Sequence, residues 1–357
     1  MSIEFKANYS LQGLSTFQMP AKALHYVYVD SHASLQAVLQ SKVWAQSQQR
    51  VILGGGSNSI FLDDVTGCLL HMGLTGKTLD IIDANTVEVI VGAGEQWDLL
   101  VQWCLEQQAF GLENLSWIPG SVGAAPIQNI GAYGVELNQV LHSVEVVDLQ
   151  DDVTKFTWIL AADCGLSYRD SFFKSQWRDR FIISRIRLRL ARQFIPQCNY
   201  QGLEAETFQT RPSARTLRER VIALRQAKLP EPAQLANCGS FFTNPIIPVA
   251  QFEHLQRNLP KLTGFKMQTE QGVMIKLSAA FLLDQLGLAG FRQDCFGCYA
   301  QQPLVVVHYT DDTSSLVLKR RQFLRFVDLL QQQVNTAFGI WLTPEPNLIT
   351  SYKVLLK

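Results

Sequence analysis

VILGGGSNSIFLDD, residues 51–64, sets three apolar residues directly against Gly54, Gly55 and Gly56, then Ser57 and Asn58, before the chain turns apolar again. A β-branched run ending in glycines reads in two ways: as a tight turn between strands, or as bare backbone brought close to an anion. The common phosphate cradles do not decide between them. A dinucleotide fingerprint needs glycines at its first, third and sixth positions, and from Gly54 the sixth is Ser59; a P-loop needs Lys then Ser or Thr, where this chain has Ser57 and Asn58. A second stretch does decide. GLENLSWIPGSVGAAPIQNIGAYGVEL, residues 111–137, holds Gly111, Gly120, Gly123, Gly131 and Gly134, stiffened by Pro119 and Pro126. Small residues over that length leave amide N–H groups able to converge on an anion, and a loop so long is usually functional. Two such loops predict a large phosphate-bearing cofactor held without a P-loop lysine.

Around the first loop, ALHYVYVD, RVILGGG and CLLHM read as strands and SLQAVLQSKVWAQ (34–46) as one helix, a small β-α-β unit. Residues 78–93 predict two strands about Asp83-Ala84-Asn85, and DLLVQWCLEQQ (98–108) has helical spacing. FIISRIRLRL (181–190) alternates strictly, with Ile186, Leu188 and Leu190 on one face and Arg185, Arg187 and Arg189 on the other; those arginines read as a solvated strand edge. A boundary is expected near Thr210-Arg211-Pro212. Beyond it, Thr216 to Glu219 predicts a capping box opening a helix striped by Leu217, Val221 and Leu224 and stopped by Pro230. Helices follow over 249–259, 278–286 and 314–336, with a strand at PLVVVH. A last strand, GIWL (339–342), leads to Pro344-Glu345-Pro346, and its β-content suggests a return to the first domain.

The 357 residues exceed one core and predict two or three domains. With 31 basic against 31 acidic residues, a broad nucleic-acid or anionic-membrane footprint is not expected. No apolar stretch is long enough to span a bilayer, and MSIEFKANYSLQ lacks the continuous apolar segment of a secretion signal. Seven irregularly spaced cysteines suit a reducing compartment better than a disulfide framework. Cys295-Phe-Gly-Cys298 is a single CxxC without a partner pair, and the six histidines form no HExxH, so no metal site is expected. A cytoplasmic enzyme is the expected class. LSYRDSFFK (166–174) and NCGSFFTNP (237–245) mix polar and aromatic residues; taken alone, they read as a turn with an Arg–Asp pair and a loop serine beside core aromatics.

Taken together, VILGGGSN, IPGSVGAAPIQNIGAYGVEL, LSYRDSFFK, RQAKLP, NCGSFFTNP and PEPN stand in the order found in UDP-N-acetylenolpyruvoylglucosamine reductases, which are also called UDP-N-acetylmuramate dehydrogenases. The chain resembles that family over nearly its whole length, and the YQGL loop at Tyr200 is similar to its type I branch. The resemblance implies an α/β (α+β) protein of three domains. Two of them, residues 1–76 (with 338–357 returning to it) and 77–212, would bind FAD in the manner of vanillyl-alcohol-oxidase-like flavoproteins. The third, residues 213–337, would hold the substrate.

The resemblance also implies the reaction. NADPH reduces FAD, and hydride then passes to the enol ether of UDP-N-acetylglucosamine enolpyruvate in peptidoglycan synthesis. The charge balance already gives no nucleic-acid or membrane partner, and the sequence adds no evident protein partner. By the same resemblance Ser240 is the proton donor and Arg169 the fixed cation facing the substrate carboxylate. Glu345 polarises the enolpyruvyl group, holding a proton transiently or acting through a water, because two bare carboxylates repel. Gly54, Gly55, Gly56, Ser57 and Asn58 would contact the FAD diphosphate, with Gly120, Ser121, Gly123 and Ala124 lining the same cofactor. Lys228 and Asn244 match residues near the substrate diphosphate, and Tyr200 a tyrosine packed over it. Two other readings stay open on residues alone: a flavin oxidase of another substrate, and a cofactor-free nucleotide-sugar binder.

Overall fold

The computed structural model describes residues 3–204, 208, 212–270, 272–310 and 314–351. The boundary expected at Thr210-Arg211 lies outside the described residues, as does the tail beyond Ser351. Contacts divide the chain into two units. One contains the described residues of Met1–Ser10, Lys22–Gly56 and Asp64–Ala227, the other those of Leu11–Ala21, Ser57–Asp63 and Lys228–Lys357. The glycine stretch is split between them, Gly54 to Gly56 in the first and Ser57 and Asn58 in the second.

In the first unit, Lys6–Ser10, Lys22–Val29, Val65–Met72 and Arg50–Leu53 form a four-stranded sheet in that order. Its last three strands run parallel, which a helical crossover permits. The crossover is two helices, His32–Leu39 and Lys42–Gln46, where the spacing predicts one. Ser41 makes the difference: its hydroxyl accepts from Trp44 N and caps a new helix, a role for which serine is well suited. Val27, Val29, Leu35, Val38, Leu70 and Met72 close the core beneath.

The second sheet of this unit is antiparallel, in the order Thr157–Leu160, Leu141–Asp148, Phe181–Ala191, Thr86–Gly92 and Lys77–Ile81. Asp83 Oδ1 accepts from Asn85 N and Thr86 N and closes the expected turn. Ile186, Leu188 and Leu190 are buried with the apolar face of Trp97–Glu106. The arginine reading is corrected. Phe181–Ala191 is the central strand, not an edge, and its arginines lie on the sheet's polar face. Arg187 and Arg189 each approach Glu88 at 3.4 Å, and Arg185 holds the buried Glu145. Arg185 and Arg187 also lie over the Trp158 ring, at 5.7 and 4.5 Å from its centroid.

Ala214–Gln226 starts earlier than its sequence predicts: Ser213, not Thr216, is the cap, and it accepts from Thr216 N. This helix falls in the first unit, although the sequence-based partition groups it with residues 213–337. Arg218 grips Asp98 through two hydrogen bonds (2.6 and 2.9 Å), and Arg225 Nε donates to Trp117 O (3.1 Å).

The second unit holds a four-stranded sheet, in the order Ala236–Ser240, Gln302–His308, Phe296–Tyr299 and Arg292–Gln293. A three-stranded sheet accompanies it, in the order Ile246–Pro248, Gly272–Leu277 and Gly264–Thr269. Phe17, Phe241, Phe296 and Phe323 are fully buried there and meet ring to ring. The long helix is Leu316–Phe338, ended by Gly339 in the left-handed region. GIWL is not a strand. Gln331, buried on that helix, donates to Leu342 O (2.8 Å), so the segment packs on the helix. The last strand is Asn347–Ile349, parallel to Ser59–Phe61. Among the described residues no helix is long and apolar enough to cross a membrane, and no group of metal-ligating side chains forms.

Candidate active site

The two glycine-rich loops meet in the first unit. A Cβ built on Gly55 would lie 2.8 Å from Gly120 Cα, and one on Gly54 would collide with Ser121 Oγ and sit 3.5 Å from Ala124 Cβ. Gly55 N donates to Ser121 Oγ (3.2 Å). Of the three consecutive glycines, Gly56 alone has positive φ (65°). Gly55 is therefore required by close approach rather than by backbone conformation. The longer loop is itself docked: Trp97 N donates to Gly120 O (3.0 Å), Gly123 N to Ala93 O (2.8 Å) and Trp97 Nε1 to Leu115 O (2.9 Å).

Arg169 sits at the tip of a turn closed by Ser167 N to Asp170 O (3.0 Å) and Asp170 N to Ser167 O (3.2 Å), in the left-handed region at φ 55°. A non-glycine residue there stores strain, a feature often found where a side chain must be presented. Two residues outside the sequence-based set hold this turn. Asn129, fully buried, donates to Ser167 O (3.0 Å) and Glu136 Oε2 (2.8 Å) while accepting from Asn138 N (2.9 Å). Lys174 Nζ donates to Arg169 O (3.1 Å). Tyr200, largely exposed, meets the Tyr133 ring edge-on at 5.2 Å. Asn114 joins the Tyr133 backbone to that of Gln197, donating to both carbonyls at 2.9 Å. Burial raises the Tyr133 hydroxyl above its ordinary value, while the Arg225 charge opposes the shift.

In the second unit Ser240 ends the strand Ala236–Ser240. Glu345 N donates to Phe241 O (2.8 Å), Thr243 N to Thr343 O (2.9 Å), and Phe242 bridges Pro344 antiparallel, so Glu345 runs directly beside the serine's own chain. Burial, then the Glu345 carboxylate, push the Cys238 thiol far above its usual range, which makes that thiol inert at neutral pH. Asn347 N donates to Asn58 O (2.9 Å) and Thr16 Oγ1 to Ser57 O (3.4 Å), tying the end of the glycine stretch to the Glu345 segment. Asn244 Oδ1 accepts from Ala279 N (3.0 Å), and Lys228 is exposed.

Residues 23–157 match the model of an FAD binding domain, and residues 231–349 match that of the UDP-N-acetylenolpyruvoylglucosamine reductase C-terminal domain. The enzyme of that name from Amoebophilus asiaticus is 38% identical over 97% of this chain and 100% of its own length. The Pseudomonas aeruginosa enzyme is 39% identical over 98% and 100%. The chain belongs to the UDP-N-acetylenolpyruvoylglucosamine reductase family. The crystal structure of the Thermus caldophilus enzyme shares the fold, with a TM-score of 0.62 over 98% of this chain and 100% of that one at 21% identity.

As a UDP-N-acetylenolpyruvoylglucosamine reductase the chain is an FAD-containing oxidoreductase, and its loops suit the cofactor. Neither 54–58 nor 120–124 contains a carboxylate, and apart from the buried Val122 both carry only small side chains, which lets backbone approach a diphosphate closely; the Gly55, Val122, Gly123 and Ala124 amides already donate within the protein. Sequence reasoning missed Asn114 and Asn129. Their one signal is a short amide side chain inside a long glycine-rich loop, which would have to satisfy backbone groups that no regular element pairs.

Proposed function

We propose that Ser240, Arg169 and Glu345 divide the work of reducing the enolpyruvyl ether of UDP-N-acetylglucosamine to UDP-N-acetylmuramate. FAD held by these loops would supply the hydride, drawn from NADPH, for carbon-3 of that ether, which would leave carbon-2 and its carboxylate electron-rich. Ser240 then delivers a proton to carbon-2. Arg169 binds the substrate carboxylate with its two-pronged guanidinium and stays charged throughout, as a Lys point charge could not do with the same geometry. Glu345, carrying a proton or a water, polarises the same group. Gly54 to Asn58 and Gly120, Ser121, Gly123 and Ala124 hold the FAD diphosphate. Lys228 and Asn244 take the substrate diphosphate, and Tyr200 packs over it. The enzyme works in the cytoplasm without a nucleic-acid or membrane partner, and no protein partner is evident.

The observation that carries this reading is the bond from Glu345 N to Phe241 O, which sets a carboxylate-bearing segment beside the residue that follows Ser240. The test is anaerobic. NADPH should bleach the reconstituted flavin, and UDP-N-acetylglucosamine enolpyruvate should restore its colour. A flavin reduced only by an alcohol or sugar would make the chain an oxidase. A colourless protein after FAD reconstitution would make it a nucleotide-sugar binder.

A further inference from the structure

We propose that Asn237 is a positioning residue that aims the Ser240 hydroxyl by locking a bulge in the strand that carries it. The proposal rests on the reading of Ser240 as proton donor. Asn237 pairs with Val307, and Ser240 pairs with Val305. Three steps on one strand therefore oppose two on the other, and one extra residue is present between them. Without that residue Gly239 would face Val305 and Ser240 would lie on the opposite side of the sheet, because side chains alternate. With it, Ser240 shares a face with Asn237. Bulges commonly re-aim a side chain in this way.

The extra residue needs a lock, since a bulge breaks the ladder and leaves backbone groups without their usual partners. Asn237 supplies it. Its side-chain Oδ1 accepts from Gly239 N (2.9 Å), closing a tight turn around Cys238, while Gly239 takes φ 71°. Its Nδ2 donates to Leu235 O (2.8 Å) and Pro230 O (3.1 Å), and its backbone N donates to Thr16 O (3.0 Å). Asn237 is 2% exposed, so water cannot replace these bonds. Pro230 ends the Lys228-Leu229-Pro230 segment, so one amide group braces the serine bulge and the lysine segment together.

Asparagine is the side chain this needs, with an acceptor and two donors on one planar group. Aspartate keeps the acceptor and loses both donors; a protonated aspartate regains one. In FAD-loaded enzyme, Asn237→Asp should leave flavin reduction by NADPH within about twofold of wild type. Reoxidation by UDP-N-acetylglucosamine enolpyruvate should fall roughly 10- to 100-fold at pH 8, the loss expected for a reacting group displaced by about an ångström. It should recover in part towards pH 5, relative to wild type at each pH. Gly239→Ala, which meets no atom within 4 Å but must take the same positive φ, should produce the same split without touching Asn237.

A second readout is independent of activity. In Asn237→Ala, the Gly239 amide should exchange with solvent at least about tenfold faster than in wild type, because its buried acceptor is gone. Wild-type exchange in that variant, or equal slowing of both half-reactions in Asn237→Asp, overturns the proposal. If wild-type enzyme fails to reoxidise with the enolpyruvyl substrate, the donor role of Ser240 falls instead, and the exchange rate still decides whether Asn237 holds the bulge.

Discussion

A serine hydroxyl is a weak acid, so the worth of Ser240 lies in its placement: on the strand Ala236–Ser240, with Glu345 bonded to the next residue's carbonyl. Ser240→Ala removes one oxygen and little else. NADPH should still bleach the flavin at close to the normal rate, while reoxidation by the enolpyruvyl substrate slows by roughly 10²- to 10⁴-fold, the usual contribution of a positioned proton donor. Rapid-mixing absorbance of each half-reaction checks this, and equal rates in both would remove Ser240 from the chemistry. Arg169 is tested more finely by Arg169→Lys. Lysine can occupy φ 55° at no more cost than arginine, so the variant keeps the charge and the turn and loses only the guanidinium fork. The expected outcome is a raised KM for the enolpyruvyl substrate and a kcat reduced about 10- to 100-fold, with NADPH oxidation by the flavin unchanged.

At the scale of elements, the glycine loops answer for each other as well as for a ligand. Gly55→Ala places a methyl 2.8 Å from Gly120 Cα, against backbone that cannot swing aside. The loops must part, which overpacking data put at about 1–3 kcal/mol. The variant should lose FAD on gel filtration at concentrations where wild type retains it, and its Tm without FAD should also fall. Were only FAD retention lost, the loop contact would be irrelevant to stability. The loops could be read from composition, and the sheets from strict alternation, as at Ile186, Leu188 and Leu190. Other features were not legible because remote partners decide them. Ser41 breaks a helix whose apolar spacing runs straight through it. Phe181–Ala191 shows arginines that look like an edge until Trp158 and Glu88 are seen beside them. GIWL has strand propensity but meets Gln331 instead of a strand. The site follows the same division. The residues proposed to carry its chemistry stand in local motifs, whereas Asn114 and Asn129 act on carbonyls up to 83 residues away, which no local pattern encodes.

At the scale of the first unit, one buried carboxylate joins its two sheets. Glu145, on Leu141–Asp148 and 3% exposed, accepts from Arg185 through both oxygens, from Ser184 Oγ (2.7 Å), and meets His32 Nε2 at 2.8 Å. His32 opens the helix over the other sheet, and Val147 and Ile182 enter that helix's core from this one. Burial alone would raise the Glu145 carboxyl, but the bonds from Arg185, His32 and Ser184 and the Arg185 charge outweigh it and hold the group at about 2. A carboxyl depressed on folding stabilises the fold above its ordinary value near 4.5 and loses that contribution as pH falls towards 2. The full shift corresponds to at most about 3 kcal/mol. With His32 36% and Arg185 40% exposed, solvent screening reduces it to about 1–2 kcal/mol. Glu145→Gln should therefore lower the Tm at pH 7, by progressively less as pH falls below about 4.5, and converge with wild type only towards pH 2. A Tm difference that stays constant from pH 7 to pH 3 would show that Glu145 contributes shape to the junction between the sheets and no charge.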